Sequence, residues 1–153
     1  MKILLALLAL LMPALAQAAE GVALVSEVFV ERVETTPEGS SVTRLMQPDV
    51  VTPGDRLAFV LRYRNDSGEP ATAFVVTNPV PQSVSFAGTE DSNAVVSVDG
   101  GKTWGALSSL MVVQSDGTRR PAEIADVTHI RWAFAQPVPS GGAGELSFRG
   151  IVK

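Results

Sequence analysis

The segment SVDGGKTW holds the densest group of side chains that could do chemistry in this chain. It brings Ser97, Asp99 and Thr103 close to a glycine pair that ends at Gly101, with Trp104 directly behind. This composition predicts a β-hairpin turn, because an aspartate can accept hydrogen bonds from backbone amides and glycines tolerate positive φ. The tryptophan is expected to pack beneath the turn. A structural turn is therefore the expected role, and the alternative is a carbohydrate-binding surface on Trp104.

The spacing of this segment resembles the aspartate box, S-x-D-x-G-x-T-W, of sialidase-type propellers. In those proteins the box recurs in several blades, whereas here it occurs once in a chain of 153 residues. A chain of this length is too short for a propeller. The resemblance therefore implies a hairpin and not glycosidase chemistry.

His129 is the only histidine, and the sequence gives it no catalytic setting. In a strand it shares a face with Arg131, opposite Ile130 and Trp132, so we expect a solvent-facing residue. A catalytic triad needs a nucleophile held against the histidine and an acid that orients it, and no nucleophile-elbow motif accompanies the serines. A zinc site would need several histidine or cysteine ligands. We therefore expect no catalytic residue, no metal site and no enzyme activity.

Two loop segments combine several side-chain oxygen atoms and are candidates for weak calcium binding, since calcium takes six to eight oxygen ligands. They comprise Glu90, Asp91 and Asn93, and Asn65, Asp66 and Glu69. Neither set has the spacing of a dedicated calcium loop, so we expect solvated turn residues and no cofactor. The adjacent pair Arg119 and Arg120 is either an exposed patch for an acidic partner or a lipid headgroup or, as we expect, a solvated hairpin edge.

Composition narrows the function classes further. The chain has no cysteine, which excludes disulfides and thiol chemistry. It carries 16 acidic and 12 basic residues, for a net charge of −4, and these charges are dispersed. Neither a nucleic-acid-binding surface nor a polybasic membrane patch is indicated.

The N-terminal residues predict an export signal. Lys2 precedes an apolar run from Ile3 to Leu11, and Ala16-Gln17-Ala18 gives the small-x-small cleavage pattern. The run is about half of the roughly 20 residues that span a bilayer, so no retained membrane anchor is expected. The sequence thus predicts a cleavable signal peptide over residues 1–18 and one exported domain, periplasmic or secreted, over residues 19–153.

The remainder of the chain predicts short strands separated by turn signals roughly every 8–12 residues, which is typical of an all-β sandwich or barrel. The predicted strands span residues 22–33, 41–46, 56–64, 73–78, 83–88, 94–98, 110–114, 127–134 and 145–152. Alternate residues of such strands are buried between two antiparallel sheets. The predicted core comprises Val28, Val30, Leu57, Phe59, Leu61, Tyr63, Val75, Phe86, Val96, Ile130, Trp132, Leu146 and Phe148.

Three stretches resemble the conserved repeat domain of bacterial envelope and surface proteins called domain of unknown function eleven. They are VTPGDRLAFVLRYRNDSGEPATAFVVTNPVP, SVDGGKTW and VTHIRWAFAQPVPSGGAGELSFRGIV. The matching positions are the turn Pro53-Gly54-Asp55, Tyr63, Asn65, Pro79-Val80-Pro81, Asp99-Gly100-Gly101 and the loop from Ser140 to Gly144. The resemblance implies an immunoglobulin-like sandwich of about seven to nine strands in a cell-envelope setting, and it carries over no catalytic residue. The family domain usually occurs in tandem arrays, whereas this chain holds one copy.

These features predict a non-enzymatic exported envelope protein with a structural, adhesive or protein-interaction role. The expected partner is another envelope protein or a glycan, bound through a sheet face or an edge strand. The alternative is a carbohydrate-binding module that uses the hairpin and Trp104. A third hypothesis, an assembly chaperone that works by strand addition, would require an open sheet edge with cationic anchors. No nucleic-acid partner is expected, and the sequence leaves the oligomeric state open.

Overall fold

The computed structural model describes residues 21–153, which form antiparallel β-sheets and contain no α-helix. The strands are β1 (Val22–Thr35), β2 (Ser41–Met46), β3 (Arg56–Asn65), β4 (Val75–Pro79), β5 (Val84–Gly88), β6 (Ala94–Ser97), β7 (Met111–Val113), β8 (Arg119–Pro121), β9 (His129–Ala133) and β10 (Ala143–Val152). The predicted all-β class is confirmed. Within the described range, no helix is long and apolar enough to cross a membrane. The predicted signal peptide, residues 1–18, lies outside the described residues.

The strands form two main sheets and one small ribbon. The larger sheet has the order β2-β1-β3-β10-β5, the second has the order β4-β9-β6, and β7 pairs with β8. One apolar core joins the two main sheets, as the rings of Trp132 on β9 and Phe148 on β10 show, with centroids 6.4 Å apart. Phe148 in turn stacks on Phe59 of β3, at 4.4 Å between ring centroids. Two antiparallel layers that share one core are the arrangement of a β-sandwich.

Most of the predicted core is buried, and one predicted core residue lies on the opposite face. Val28 and Tyr63 are half-buried and pack against the core. Val75 is 38% exposed, whereas its neighbour Val76 is 1% exposed and takes the inward position. The alternation of apolar residues along the strand does not show which of these two adjacent valines faces the core. The pairing of Val76 with Trp132, whose side chain points inward, determines the register.

Residues 21–153 form ten strands where about seven to nine were predicted. The strand that was missed is β8, which pairs with β7 from Arg119 to Pro121. A three-residue strand is too short to show alternation, and proline is depleted in strand interiors. The strand β2 was predicted with its observed bounds, and the other predicted strands differ from the observed ones by one or two residues at one or both ends.

Two clusters of ion pairs cover the outer face of the larger sheet. They are Arg56–Glu31–Arg149 and Glu27–Arg62–Glu145. Between them, Ala58 and Val60 of the central strand β3 are only 0% and 2% exposed. The arginine stems therefore shield a second, small apolar layer on the face that the sequence pattern marks as polar.

Candidate functional site

The hairpin SVDGGKTW between β6 and Trp104 is held by one carboxylate. Asp99 accepts hydrogen bonds from the backbone amides of Lys102, at 3.0 Å, and Thr103, at 2.9 Å, and from the Thr103 hydroxyl at 2.7 Å. The buried Ser97 hydroxyl donates to Asp99 at 2.8 Å and accepts from the Gly101 amide at 2.9 Å. These bonds, the Thr103 amide first, hold the pKa of Asp99 well below its ordinary range. The side-chain oxygens of Ser97, Asp99 and Thr103 are thus all engaged in forming the turn.

Trp104 lies over the outer face of β9 and is enclosed by its neighbours. Its indole N–H donates to the Gly101 carbonyl at 3.0 Å. The guanidinium carbon of Arg131 lies 3.7 Å from the ring centroid, which is a cation–π contact. Arg131 is itself fixed by a 3.1 Å hydrogen bond from its Nε to the Thr77 hydroxyl on β4. Trp104 thus fastens the hairpin to the sheet, and both its N–H and one ring face are occupied.

His129 takes part in the same cluster, and the prediction that it faces solvent is wrong in part. It does lie on the outer face with Arg131, but it is half-buried against Trp104, with ring centroids 6.2 Å apart. Its Nδ1 lies 3.0 Å from the Thr128 hydroxyl. Burial lowers the pKa of His129, and the negative charge of Asp99 opposes that shift. Its hydrogen bond with Thr128 and its place beside Trp104 give His129 a packing role.

The predicted turn Pro53-Gly54-Asp55 ties three strands of the larger sheet together. Gly54 has a φ of 93°, which glycine adopts without strain, and its amide donates to the Val152 carbonyl of β10 at 2.8 Å. The Asp55 carboxylate accepts from Arg32 of β1 at 2.7 Å and from the Thr52 amide at 2.8 Å. The bond from Arg32 is the main cause of a lowered pKa at Asp55. This turn is structural, as its sequence predicts.

The first of the two oxygen-rich loops has a different role from the one predicted. Asp91 is half-buried and accepts a hydrogen bond from the indole N–H of Trp132 at 3.0 Å and one from the Ser147 amide at 3.0 Å. The prediction of a solvated turn residue is therefore wrong for Asp91. Its carboxylate supplies the polar partner of the largest side chain in the core.

The second oxygen-rich loop is organised by a fully buried asparagine. The amide nitrogen of Asn65 donates to the carbonyls of Glu69 and Val138, at 2.8 and 2.9 Å, and its oxygen accepts from Ser67. A solvated role for Asn65 is thus also wrong. No group of three or more histidine, cysteine or acidic residues with metal-binding geometry occurs within residues 21–153.

The arginine pair on β8 also has a defined setting. Arg120 donates two hydrogen bonds to the carboxylate of Asp126, both at 2.7 Å. A bidentate pair of this kind fixes the guanidinium group and partly neutralises it. The prediction of a solvated hairpin edge is therefore partly wrong. Arg120 connects the small ribbon of β7 and β8 to the following 3₁₀ turn, Ile124–Asp126.

A feature that the sequence pattern did not reveal is an exposed arm. Beyond Val30, β1 leaves β3 and pairs only with β2, from Glu31 opposite Leu45 to Thr35 opposite Ser41. All six residues of β2 are exposed. We call this hairpin, residues 31–46, the arm. Four of its exposed side chains are large and apolar: Val33 at 69%, Val42 at 41%, Leu45 at 45% and Met46 at 48%.

Comparisons of the chain with protein-family models, with curated proteins and with solved structures gave no match. Function is therefore inferred from the chain's own surface. The hairpin, the proline-glycine-aspartate turn and the two oxygen-rich loops use their polar atoms to hold strands in place. The arm presents four apolar side chains that remain 41–69% exposed.

Proposed function

We propose that this chain is a non-enzymatic, exported cell-envelope protein that binds another envelope protein. In this proposal its sandwich is immunoglobulin-like and related to the envelope repeat domain that its sequence resembles, present as a single copy. The N-terminal sequence supports export. Two antiparallel sheets around one core support the fold assignment.

The observation that carries the proposal is the arm. Large apolar side chains exposed on a two-stranded hairpin are costly in water, and contact with a partner removes that cost. The free edge of β2 also offers backbone groups for strand addition, the mode in which extended segments join an existing sheet. Both features belong to one projecting element, so the arm is the proposed binding surface.

The geometry supports the glycan alternative less well. A sugar-binding tryptophan offers an open ring face, whereas Arg131 lies 3.7 Å above the ring of Trp104. The indole N–H, which could bond a sugar hydroxyl, is already donated to Gly101. A glycan site on that face of Trp104 would therefore require Arg131 to leave both the ring and Thr77.

The experiment compares arm variants in intact cells. The double variant Val33→Ser/Leu45→Ser removes two exposed side chains and should leave the fold unchanged. Val113→Ser, at a position that is 66% exposed on β7, is the matched control. After reversible cross-linking, the wild-type chain and the control should retain one envelope partner, and the arm variant should lose it. Equal recovery of that partner by all three chains, or a chain confined to the cytoplasm, would refute the proposal.

A further inference from the structure

The first half of β1 has an open edge next to the arm. Residues Val22 to Val30 pair with β3 on one side, whereas β2 pairs on the other side only from Val30 onward. Along Val22–Phe29, no strand of the described chain occupies the side that continues the line of β2. The larger sheet therefore has a notch about eight residues long, bounded at one end by Met46.

The phase of the hydrogen bonds shows which groups face this notch. The Asp66 amide donates to the Gly21 carbonyl at 3.0 Å, so the odd-numbered residues of β1 direct their backbone groups toward β3. The Thr36 amide donates to the Ser40 carbonyl at 2.7 Å, so even-numbered residues face the β2 side. Val22, Leu24, Ser26 and Val28 thus point their N–H and C=O groups into the notch, and Val22 is the least exposed of the four, at 4%. On that side, no strand of residues 21–153 pairs with these four residues.

We propose that a second copy of this chain fills the notch by pairing its own β1 antiparallel to this one. The pairing that uses all four notch-facing residues sets Val22 opposite Val28 of the second copy and Leu24 opposite Ser26. A two-fold axis then passes through Val25. Each of the four pairs exchanges two backbone bonds, so the interface gains about eight.

The side chains fit this two-fold arrangement. Val25, at 57%, is the most exposed large apolar side chain in the first half of β1, and it meets Val25 of the second copy at the axis. Glu27, whose charge is paired with Arg62, faces Ala23 of the second copy, so no like charges are opposed. Ala23 and Val25 also line a shallow depression on the outer face of the sheet beside Arg62 and Arg64 of β3, which the pairing would extend across both copies.

The ends of the notch also match a second copy. Met46 is the last residue of β2. In this pairing, Met46 of the second copy lies at the N-terminal end of β1 of the first copy, at the position just before Gly21. β1 begins at Val22, directly after Gly21, whose φ of 89° lies outside the range of a β-strand. In a two-fold dimer, the same segment of each copy is both the open edge and the incoming strand. The incoming strand and the notch therefore have the same length. The first half of β1 carries no lysine or arginine, the cationic anchors that a strand-addition chaperone would need.

The test uses the chain purified from the envelope fraction. Sedimentation velocity should give twice the monomer mass, and a monomer at all concentrations would overturn the proposal. Because the chain lacks cysteine, single-cysteine variants report the interface cleanly. Residues in a non-hydrogen-bonded antiparallel pair have Cα atoms about 4.5 Å apart, within disulfide range. Val25→Cys should therefore cross-link two chains under mild oxidation, and Val33→Cys on the arm should not. Cross-linking of Val33→Cys alone would overturn the β1 interface in favour of the arm.

A pair of proline variants separates the notch from the edge of β2. Ser26→Pro removes one notch-facing N–H and should abolish the dimer. The matched control is Thr43→Pro. Odd-numbered residues of β2 direct their backbone groups away from β1, so this change affects the outer edge of β2 and should leave the dimer intact. A dimer lost only in Thr43→Pro would contradict the proposal. If Ser26→Pro fails to fold, the comparison of Val25→Cys with Val33→Cys still tests the β1 interface. Neither experiment depends on which partner the arm binds.

Discussion

The indole N–H of Trp132 donates a hydrogen bond to the carboxylate of Asp91, 3.0 Å away. Trp132 is fully buried, so this N–H has no access to water. Asp91 comes from the loop before β6, and the same oxygen accepts the Ser147 amide of β10. One loop carboxylate thus connects β9 of the smaller sheet to β10 of the larger sheet.

Asp91→Ala is therefore expected to destabilise the fold by about 1–3 kcal/mol, because it leaves two N–H donors without an acceptor. Asp91→Asn keeps an acceptor oxygen and should lose less. Urea unfolding followed by circular dichroism measures both variants. Equal stability of the wild type and Asp91→Ala would show that the bond to Trp132 contributes nothing.

Glycine at position 150 is expected to be indispensable for packing. Gly150 is buried, and a methyl group there would collide with Val84 and approach Phe59 within 3.3 Å. Gly150→Ala should cost about 1–3 kcal/mol through overpacking in the pairing of β10 with β5. Gly68→Ala, where nothing lies within 4 Å, is the control and should be neutral in thermal unfolding. A neutral Gly150→Ala would argue against close packing of β10 on β5 at this position.

Acid should weaken the fold through Asp99. Its folded-state pKa lies below the ordinary value of 3.8, so its contribution is complete above that pH and is lost as the pH falls toward the lowered pKa. The urea midpoint of the wild type should therefore decrease below about pH 4. Asp99→Asn has no carboxylate to protonate, so its urea midpoint should decrease less steeply as the pH falls. At neutral pH its urea midpoint should be lower than that of the wild type. Parallel curves for the two chains would contradict this role.

His129 should titrate below its ordinary pKa of 6.5, because burial disfavours the imidazolium. It is the only histidine, so a single pair of ring resonances follows it by NMR. In Asp99→Asn the midpoint should fall further, since the nearby negative charge that favours protonation is gone. A midpoint that rises in Asp99→Asn would place the histidine in a different environment.

The sequence predicted the strands and turns well because alternation and glycine turns are local signals. The strand Arg56–Asn65 and the turn at Asp55 follow directly from them. The choice between Val75 and Val76 could not be predicted, because it depends on pairing with a strand more than fifty residues away. The burial of Ala58 and Val60 depends on ion-paired arginine side chains around them, Arg56 and Arg62 of the same strand and Arg149 of β10, which alternation does not describe.

The sites were harder to predict than the fold. The hydrogen bonds of Asp99 lie within one turn, and the sequence indicated them. The bond between Asp91 and Trp132 joins residues 41 positions apart, so no local pattern reveals it. The arm could not be predicted because its two strands look like any other pair in sequence. Only the stagger of β1 between β2 and β3 shows that the arm extends beyond the sandwich.

Site-specific photo-cross-linking in living cells tests the proposed function most directly. A photoreactive residue at Leu45 on the arm should join the chain to one envelope protein, and the same residue at Val113 should not. Cross-links to cytoplasmic proteins, or equal cross-linking at both positions, would contradict the assignment of the arm as the binding surface of an exported envelope protein.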